Sequence, residues 1–440
     1  MRWPGPAAVD GPVLPMSQIL FPSHRLARLR WPAALARLLC LTGLLSIHAA
    51  DWPQFLGPQR NGTAPDSPPL AESFSSGGPP KVWSAEVGQG FAGPVVSGDR
   101  VVVFHRVGNA EVVEALDFSD GRRIWRQESA TGYSDDFGFD EGPRASPTVV
   151  EGRIYTHGAD GRLECRRLTD GQRLWSVDTR ARFGADKGFF GRASAPLVLG
   201  RRLFLNLGGR DGAGVAAFSI ESGELLWKAT DDESGYASPM PGPAGVEPAS
   251  VLFFTRVGLR SVGLESGTVL ASHPWRARMH ASVNAATPVV AGGEVLLTAS
   301  YGTGATLLRW RSGAWQTVWA GDEILSAHYA TPVKQGASLF GFHGRQEQGA
   351  SLRCVDWATG KVRWDSGTLG SGTLAVAGDR LVVLLESGEL ILAPASAEKF
   401  LPAVRSQVLG SGLRAPFALA DGRLVARDKK KLAVFDLRRR

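Results

Sequence analysis

The sequence predicts an all-β fold, an eight-bladed β-propeller of four-stranded antiparallel blades. Three observations predict it. A phrase of two small residues, a proline and a hydrophobic residue recurs, as in "ASPTV" (145–149), "SAPLV" (194–198) and "ATPVV" (286–290). Glycine-containing turns separate short hydrophobic runs, which is typical of hairpins. The phrase also returns at regular intervals, and self-similarity at about 40 to 50 residues indicates a propeller.

One repeat unit, written from residue 145, shows the four strands. It reads "ASPTVVEGRIYTHGADGRLECRRLTDGQRLW" (145–175). The strands are "SPTVV", "IYTHG", "LECRRL" and "RLWSV", and the turns between them are "EGR", "ADG" and "TDGQ". Gly in these turns supplies the positive φ that tight hairpins require. Each unit therefore predicts one antiparallel blade.

The prolines that open the units give the number of blades. They are Pro94, Pro147, Pro196, Pro239, Pro288, Pro332 and Pro416. Neighbouring prolines are 43 to 53 residues apart, except for a last interval of 84 residues. The segment "SGTLAV" (371–376) fills that interval as a unit without a proline. The count is therefore eight.

The two ends of the repeat region are incomplete in complementary ways. The segment "KVWSAEV" (81–87) has the pattern of an outermost strand, but no three strands precede it. The last unit (414–437) has three strands and no fourth. We therefore expect the N-terminal strand to complete the last blade, which closes the ring and removes an exposed sheet edge. This gives a single propeller domain over 81–440, preceded by an N-terminal extended segment over 51–80.

Two of the three cysteines occupy a repeat position. Cys165 and Cys354 stand six residues before the turn glycine, where other units have Ala115, Ala217 and Ser261. All of these side chains are small, which predicts a packing role for the two thiols instead of redox or metal chemistry. They also fall in blades two and six, on opposite sides of the ring, so we expect no disulfide between them.

The N-terminus has the order of a secretory signal peptide. Basic "RLARLR" (25–30) precedes an apolar run (31–47) and then "HAA" (48–50). We expect residues 1–50 to be removed and the protein to be periplasmic or secreted. The leader is long, so translation could start at Met16. Cys40 suggests lipid attachment, but Leu39 precedes it where a small residue is required, and no other segment approaches the roughly 20 apolar residues of a membrane span.

The net charge gives little sign of a nucleic-acid partner. The chain carries +7, but residues 1–50 contribute +4 of it. Local positive charge remains at Lys429–Lys431 and Arg438–Arg440, which we interpret as solvated turn and tail residues. No basic stripe follows the predicted blades, so nucleic-acid binding is not expected.

These motifs resemble the PQQ-binding-like β-propeller family. The hairpin "ALDFSDGRRIW" (115–125) resembles the family's repeat "A-x-D-x-x-[ST]-G-x-x-x-W", with Asp120 in place of the Ser or Thr, and "DWPQFLGPQRNG" (51–62) is similar to the start of its secreted bacterial members. "GPRASPTV" (142–149) and "GYASPM" (235–240) resemble one branch of it. The resemblance covers 51–440. It implies the fold but no particular activity, because the repeat is a structural phrase.

The resemblance does not carry over the cofactor chemistry of quinoprotein alcohol dehydrogenases. Those enzymes use an adjacent pair of cysteines, a calcium cage and a catalytic Asp. No two cysteines are adjacent here, and no residue matches the calcium or base positions. We therefore expect a monomeric binding module for a small anionic ligand or a protein partner. An oxidoreductase that uses PQQ with calcium, or another quinone, is the alternative. A hydrolase or lyase has no motif in support.

The candidate site residues stand at the ends of the loops that enter the innermost strands. These loops open on the same face as the loops between strands two and three, so their ends surround the mouth of the central channel. The candidates are Arg144, Arg192, Tyr236, Asn284, His328, Tyr329 and Arg414. Arginines and polar aromatics around a funnel suit an anionic or carbonyl-bearing ligand. In the alternative interpretation, they bond to neighbouring backbone and plug the channel.

The loop "SDDFGFDEGPR" (134–144) carries four carboxylates. They are Asp135, Asp136, Asp140 and Glu141. Calcium takes several oxygen ligands, but this spacing matches no EF-hand loop, and a solvated acidic loop is the alternative. The related loop "FGADKGFFGR" (183–192) keeps Phe-Gly and the arginine but has one acid. Phe-Gly and Arg are therefore predicted to be geometry that the two loops share.

Overall fold

The structure, a computed structural model, describes residues 51–277, 279 and 283–439. The predicted signal peptide lies outside the described residues. The described chain begins with two strands that join blades far away in sequence. They are β1 (Thr63–Ala64) and β2 (Lys81–Glu86). No helix in the described ranges is long and apolar enough to cross a membrane.

The first four blades follow one another along the chain, each with its innermost strand first. Blade I contains β3 (Val95–Ser97), β4 (Arg100–Val107), β5 (Ala110–Asp117) and β6 (Arg123–Ala130). Blade II contains β7 (Thr148–Val150), β8 (Arg153–His157), β9 (Arg162–Arg167) and β10 (Arg173–Asp178), followed by the short helix α1 (Thr179–Phe183). Blade III contains β11 (Leu197–Leu199), β12 (Arg202–Asn206), β13 (Val215–Ser219) and β14 (Leu225–Ala229). Blade IV contains β15 (Met240–Pro241), β16 (Ser250–Phe254), β17 (Gly258–Gly263) and β18 (Val269–Pro274).

The last four blades complete the predicted eight. Blade V contains β19 (Val289–Ala291), β20 (Glu294–Ala299), β21 (Gly304–Arg311) and β22 (Ala314–Gly321). Blade VI contains β23 (Val333–Gln335), β24 (Ser338–His343), β25 (Ser351–Asp356) and β26 (Val362–Thr368), with a 3-10 turn at Gln346–Gln348. Blade VII contains β27 (Gly372–Ala377), β28 (Arg380–Leu385), β29 (Glu389–Pro394) and β30 (Val404–Gln407). Blade VIII contains β31 (Ala418–Ala420), β32 (Arg423–Arg427) and β33 (Lys431–Asp436).

The recurring proline phrase is part of the scaffold around the channel. The proline directly precedes the innermost strand in blades I to VI, where its missing N–H removes no ladder bond. The hydroxyl residue before it links neighbouring blades, because it accepts a hydrogen bond from the backbone of the preceding blade. These bonds are Gly93 to Ser146, Ala195 to Ser238, Ser238 to Thr287 and Thr287 to Thr331, all between 3.0 and 3.1 Å.

The repeat spacing between the turn glycine and the tryptophan reflects contact between blades. Trp175 of blade II donates its Nε1 hydrogen to the Ile220 carbonyl of blade III, 2.9 Å away. Its ring also covers the turn residue Gly223, which has φ +72°, and a Cβ there would lie 2.7 Å from the ring. Glycine is therefore required at that turn both for its conformation and for space.

The predicted closure of the ring is confirmed. Strand β2 pairs antiparallel with β33 and is the outermost strand of blade VIII. Trp83 of β2 donates to the Phe118 carbonyl of blade I at 2.9 Å and covers the turn residue Gly121. The same contact that joins the other blades thus joins the last blade to the first.

The N-terminal segment does more than lead into β2, which the sequence did not predict. Trp52 exchanges backbone hydrogen bonds with Val96 of blade I, and Pro53 accepts one from Val149 of blade II. Arg60 donates to the Pro196 carbonyl of blade III at 3.0 Å. Strand β1 then pairs in parallel with the innermost strand of blade VII, which becomes a five-stranded sheet. Residues 51–64 therefore bind the innermost strands of four blades.

The two cysteines of the propeller are buried and free. Cys165 lies opposite Trp175 in the strand pair β9–β10, and Cys354 lies opposite Trp364 in β25–β26. Burial raises the pKa of the Cys165 thiol to about 11. The predicted packing role is confirmed by this shared position beside the blade tryptophan.

Candidate binding funnel

A cavity of about 370 Å³ opens at the mouth of the central channel. Its wall comes mainly from the entering loops and from the loops between strands two and three, as the sequence predicts for one face, and Phe55 is added by the N-terminal segment. Eight aromatic residues line it, namely Phe55, Phe91, Phe137, Phe139, Phe190, Tyr236, Tyr301 and Tyr329. Its polar lining includes Arg144, His328, Gln346, Glu347 and Arg414. We call this cavity the funnel.

One side of the funnel is an aromatic cluster. Phe137 and Phe139 come from the loop before blade II, and Phe190 comes from the loop before blade III. Ring centroids of Phe137 and Phe190 are 5.0 Å apart, and Phe190 lies 5.9 Å from Tyr236. Phe137 is nevertheless 49% exposed and Phe139 48% exposed. Contiguous exposed aromatic side chains of this kind mark interaction surfaces.

Asp135 holds the aromatic loop in shape. Its carboxylate, which is fully buried, accepts backbone hydrogen bonds from Phe139 at 2.7 Å and Asp140 at 3.0 Å. A third, longer bond comes from the Phe137 N–H. The acid therefore folds the loop that presents the phenylalanines.

The other three carboxylates of this loop are engaged separately. Asp136 pairs with Lys187 at 2.6 Å, and Glu141 lies 3.5 Å from Arg106. Asp140 accepts the Gly142 N–H at 2.7 Å. Within the described ranges, no three His, Cys, Asp or Glu side chains come together as metal ligands. The donor set therefore does not fit the calcium that the resemblance raised, and no adjacent cysteine pair is present to meet a quinone.

The opposite side of the funnel is polar and joins three blades. The Tyr329 hydroxyl donates to Glu386, and Arg414 Nε lies 3.3 Å from the same carboxylate oxygen. Burial, reinforced by the Glu386 charge, raises the pKa of Tyr329 well above its usual range. The Arg414 guanidinium also lies 5.3 Å from the Phe139 ring, so it connects the polar side to the aromatic side. Much of its charge is offset by Glu386.

His328 offers hydrogen bonds and little charge. Its Nδ1 lies 2.8 Å from Gln346 Oε1, and its Nε2 lies 3.3 Å from the Tyr301 hydroxyl. Burial lowers the pKa of His328, so the ring is neutral at neutral pH. The Arg345 guanidinium covers the Tyr301 ring at 4.4 Å.

Five of the seven residues that the sequence singled out line the funnel. They are Arg144, Tyr236, His328, Tyr329 and Arg414. Arg144, however, is used mainly to brace its own loop. It donates to the carbonyls of Gly142 at 3.0 Å and Asp140 at 2.8 Å, and its side chain is only 7% exposed. For this residue the structure shows the backbone bonding of the alternative interpretation.

Arg192 and Asn284 do not line the funnel, which corrects their predicted convergence at its mouth. Arg192 is 3% exposed and donates to the Leu207 carbonyl of blade III. Asn284 is 2% exposed and donates to the Thr255 carbonyl at 2.8 Å and the Trp275 carbonyl at 2.9 Å. The physical reason is that both side chains turn into the scaffold, where unpaired carbonyls accept their hydrogens.

The sequence interpretation missed most of the aromatic side. The repeated Phe-Gly pair predicts shared turn geometry, and no pattern in the sequence singles out Phe139 or Phe190 as a site residue. The available signal was the number of phenylalanines in these otherwise polar loops. The Phe-Gly pair was ambiguous, because Phe183 of the second loop packs in a hydrophobic core cluster with Phe218. Tyr301 and Glu386 were missed because the only recognisable pattern in their loops is that of turn residues, which does not distinguish a site residue.

Comparison with known proteins identifies the family. A family model described as outer membrane protein assembly factor BamB matches residues 75–192 and 109–347. These matches together cover more than half of the chain. The chain belongs to the PQQ-like β-propeller family.

Two curated relatives are matched by this chain over very different shares of their own length. The outer membrane protein assembly factor BamB of Burkholderia pseudomallei (strain K96243) is 24% identical over 298 residues, which is 59% of this chain and 73% of that protein. The quinohemoprotein alcohol dehydrogenase ADH-IIG of Pseudomonas putida is 31% identical over 128 residues, which is 28% of this chain. That match spans 17% of the dehydrogenase's length.

Solved structures of PQQ-like propellers share the fold. BamB from Moraxella catarrhalis matches with a TM-score of 0.60 and 14% identity, over 82% of this chain and 98% of that one. The ADHIIG alcohol dehydrogenase of Pseudomonas putida HK5 matches with a TM-score of 0.56 and 14% identity, over 88% and 80% of the two chains. At this identity the likeness shows the architecture alone.

Proposed function

We propose that this PQQ-like propeller is an exported binding module whose funnel holds an apolar segment of another protein, without quinone dehydrogenase chemistry. The aromatic cluster carries the proposal, because Phe137 and Phe139 are exposed in it and Phe190 is partly exposed. Each exposed ring leaves apolar area in water, and burying it against a partner would stabilise a complex.

The two sides of the funnel suit a peptide segment. The aromatic side can bury apolar side chains. The polar side offers Tyr301, Gln346 and Glu347 as hydrogen-bonding groups near the same cavity, which backbone amides of a segment require. A small anionic ligand is less well supported, because Arg144 bonds to its own loop and Glu386 offsets Arg414.

The comparison with known proteins supports protein binding over dehydrogenase chemistry. The relative matched over most of its length is named as an assembly factor for outer membrane proteins. The relative named as a dehydrogenase is matched over a small part of its length. Export is proposed from the predicted signal peptide, and the blade contacts of Trp52 begin directly after the expected cleavage point at residue 50.

Replacing the exposed rings tests the proposal. We expect the double variant Phe137→Ser, Phe139→Ser to lose proteins that co-purify stoichiometrically with the tagged, exported wild type, because the apolar contact area is removed. The matched control is Leu401→Ser. Leu401 is 50% exposed but lies in the loop between strands three and four of blade VII, on the other face. Quantitative mass spectrometry of the three preparations gives the answer. Equal recovery of every partner from all three would refute the funnel as the binding surface.

A PQQ- or quinone-dependent oxidoreductase with its site in the funnel is the alternative. The 31% identical stretch and the aromatic lining favour it, since a planar quinone can stack on aromatic rings. The absence of a fitting calcium donor set among the described residues opposes it. We therefore expect no change in the thermal midpoint or in quinone absorbance when PQQ and calcium are titrated into the protein. A saturable stabilisation that Arg414→Ala abolishes would instead support the oxidoreductase.

A further inference from the structure

A group of buried polar side chains lies behind the aromatic side of the funnel, between blades II and III. Its members are Tyr133, His157, Arg192 and Ser194, and their exposed fractions are 4%, 0%, 3% and 1%. They are held close together. The Arg192 N–H donates to the Ala159 carbonyl at 3.1 Å, and a Cβ on Gly191 would lie 2.9 Å from the Tyr133 ring.

These side chains have unused hydrogen-bonding capacity. The Nε and Nη2 of Arg192, the Tyr133 hydroxyl and the Ser194 hydroxyl have no partner within the described part of the chain. Neither ring nitrogen of His157 has a partner in standard hydrogen-bond geometry there, although the ring interacts with the Ser194 backbone. Buried polar groups in proteins are almost always hydrogen-bonded. Several unpartnered groups in one place therefore indicate something that the protein itself does not supply.

The charge of Arg192 specifies what is missing. No carboxylate in the described ranges forms an ion pair with it, and its only bonded side-chain nitrogen is Nη1, which donates to Leu207. Another buried arginine, Arg60, likewise has no carboxylate partner in the described ranges, but both of its terminal nitrogens are bonded, to Gln54, Ala195 and Pro196, so that only its Nε lacks an acceptor. A buried guanidinium without a counter-charge is strongly unfavourable.

His157 cannot compensate for this charge and instead adds a neutral donor. Burial, with a further contribution from the Arg192 charge, lowers the pKa of His157 to about 3. The nearby acid Asp186 has a side chain that is 81% exposed and pairs with Arg210 at 3.4 Å. The group thus presents N–H and O–H donors around one uncompensated positive charge.

We propose that Arg192, His157 and Ser194 bind a small monovalent inorganic anion of the chloride type. The anion accepts hydrogens from the guanidinium, the imidazole and the hydroxyl, and it neutralises Arg192. Because Phe190 lies two residues before Arg192, the bound anion fixes the loop that carries part of the aromatic cluster.

The test compares salts at equal ionic strength. The exported protein is unfolded in urea and refolded in sodium chloride, sodium bromide or sodium gluconate, so that a closed site can fill during folding. We expect thermal midpoints about 2 °C or more higher in chloride and bromide than in gluconate, because ligand binding to the folded state alone stabilises it. We expect Arg192→Gln to have the same midpoint in all three salts.

Two further variants keep the test decisive. Arg60→Gln removes a buried arginine whose two terminal nitrogens are already bonded within the protein, so it is expected to keep the difference between chloride and gluconate at a lower midpoint. Ser194→Ala removes one donor and is expected to shrink the difference, which serves if Arg192→Gln fails to fold. Equal wild-type midpoints in the three salts, as for a site filled by water, would overturn the proposal. So would a crystal grown from protein refolded in sodium bromide that shows no anomalous peak beside Arg192 and His157.

Discussion

Charged side chains around the funnel serve the scaffold more than they serve a ligand. Arg144 and Arg192 stand at equivalent places in two related loops, yet one lines the funnel and the other turns between blades. The sequence predicted the loop end correctly, because the repeat places it. It could not predict the side-chain direction, since that depends on acceptors such as the Asp140 and Leu207 carbonyls, which only the folded ring brings near.

Glu111 is a buried acid whose protonation couples stability to pH. It is 4% exposed, accepts the Ala159 N–H at 2.8 Å, and burial raises its pKa to about 8. Between about pH 4.5 and pH 8 the folded state holds a proton that the unfolded state loses. The bound proton therefore stabilises the folded state. Its contribution to the free energy of unfolding is complete below about pH 4.5 and is lost as pH rises through about 8.

Glu111→Gln is expected to reverse this loss. The amide oxygen can keep the bond to Ala159, and the side chain cannot ionise. Measured by urea unfolding at pH 5, 6.5 and 8, the variant should become progressively more stable relative to the wild type as pH rises. A difference between the two proteins that stays constant over this range would contradict the proposed burial of a protonated acid.

At the scale of strands, tryptophans and turn glycines hold neighbouring blades together. The sequence predicted β2 because it carries this tryptophan signature. It did not predict β1 or the contacts of 51–64, because that stretch has no periodic pattern and is rich in Pro and Gly. Its position is set by partners such as Val96 and Val376, which come together only once the ring has formed.

If β2 closes the ring, Trp83 should contribute as much to the free energy of unfolding as a tryptophan between two consecutive blades. We expect Trp83→Ala to lower the free energy of unfolding by about 3–5 kcal/mol, the usual cost of removing a buried large aromatic side chain. The matched control is Trp227→Ala, because Trp227 covers Gly267 of the next blade in the same way. The two tryptophans are also equally buried, with Trp227 8% exposed and Trp83 7% exposed. Chemical unfolding measures both. A loss for Trp83→Ala far below that of the control would show that the seam is not closed by β2.

At the scale of the whole molecule, the ring is regular but the funnel is not. The aromatic cluster comes from the loops before blades II and III, and the polar side comes from blades V to VIII. The sequence predicted the ring and the face that carries the loops. It could not predict the division of that face, because loops such as 134–144 and 183–192 share no strand pairing, and their rings meet only through the propeller geometry.

The most direct measurement is site-specific photo-cross-linking in cells that export the protein. A benzoylphenylalanine is placed at position 137 in the aromatic cluster, or at position 401 as the equally exposed control. We expect a discrete adduct with a partner protein from position 137 and none from position 401. A folded, exported protein that gives no adduct from position 137, or the same adducts from both positions, would contradict it.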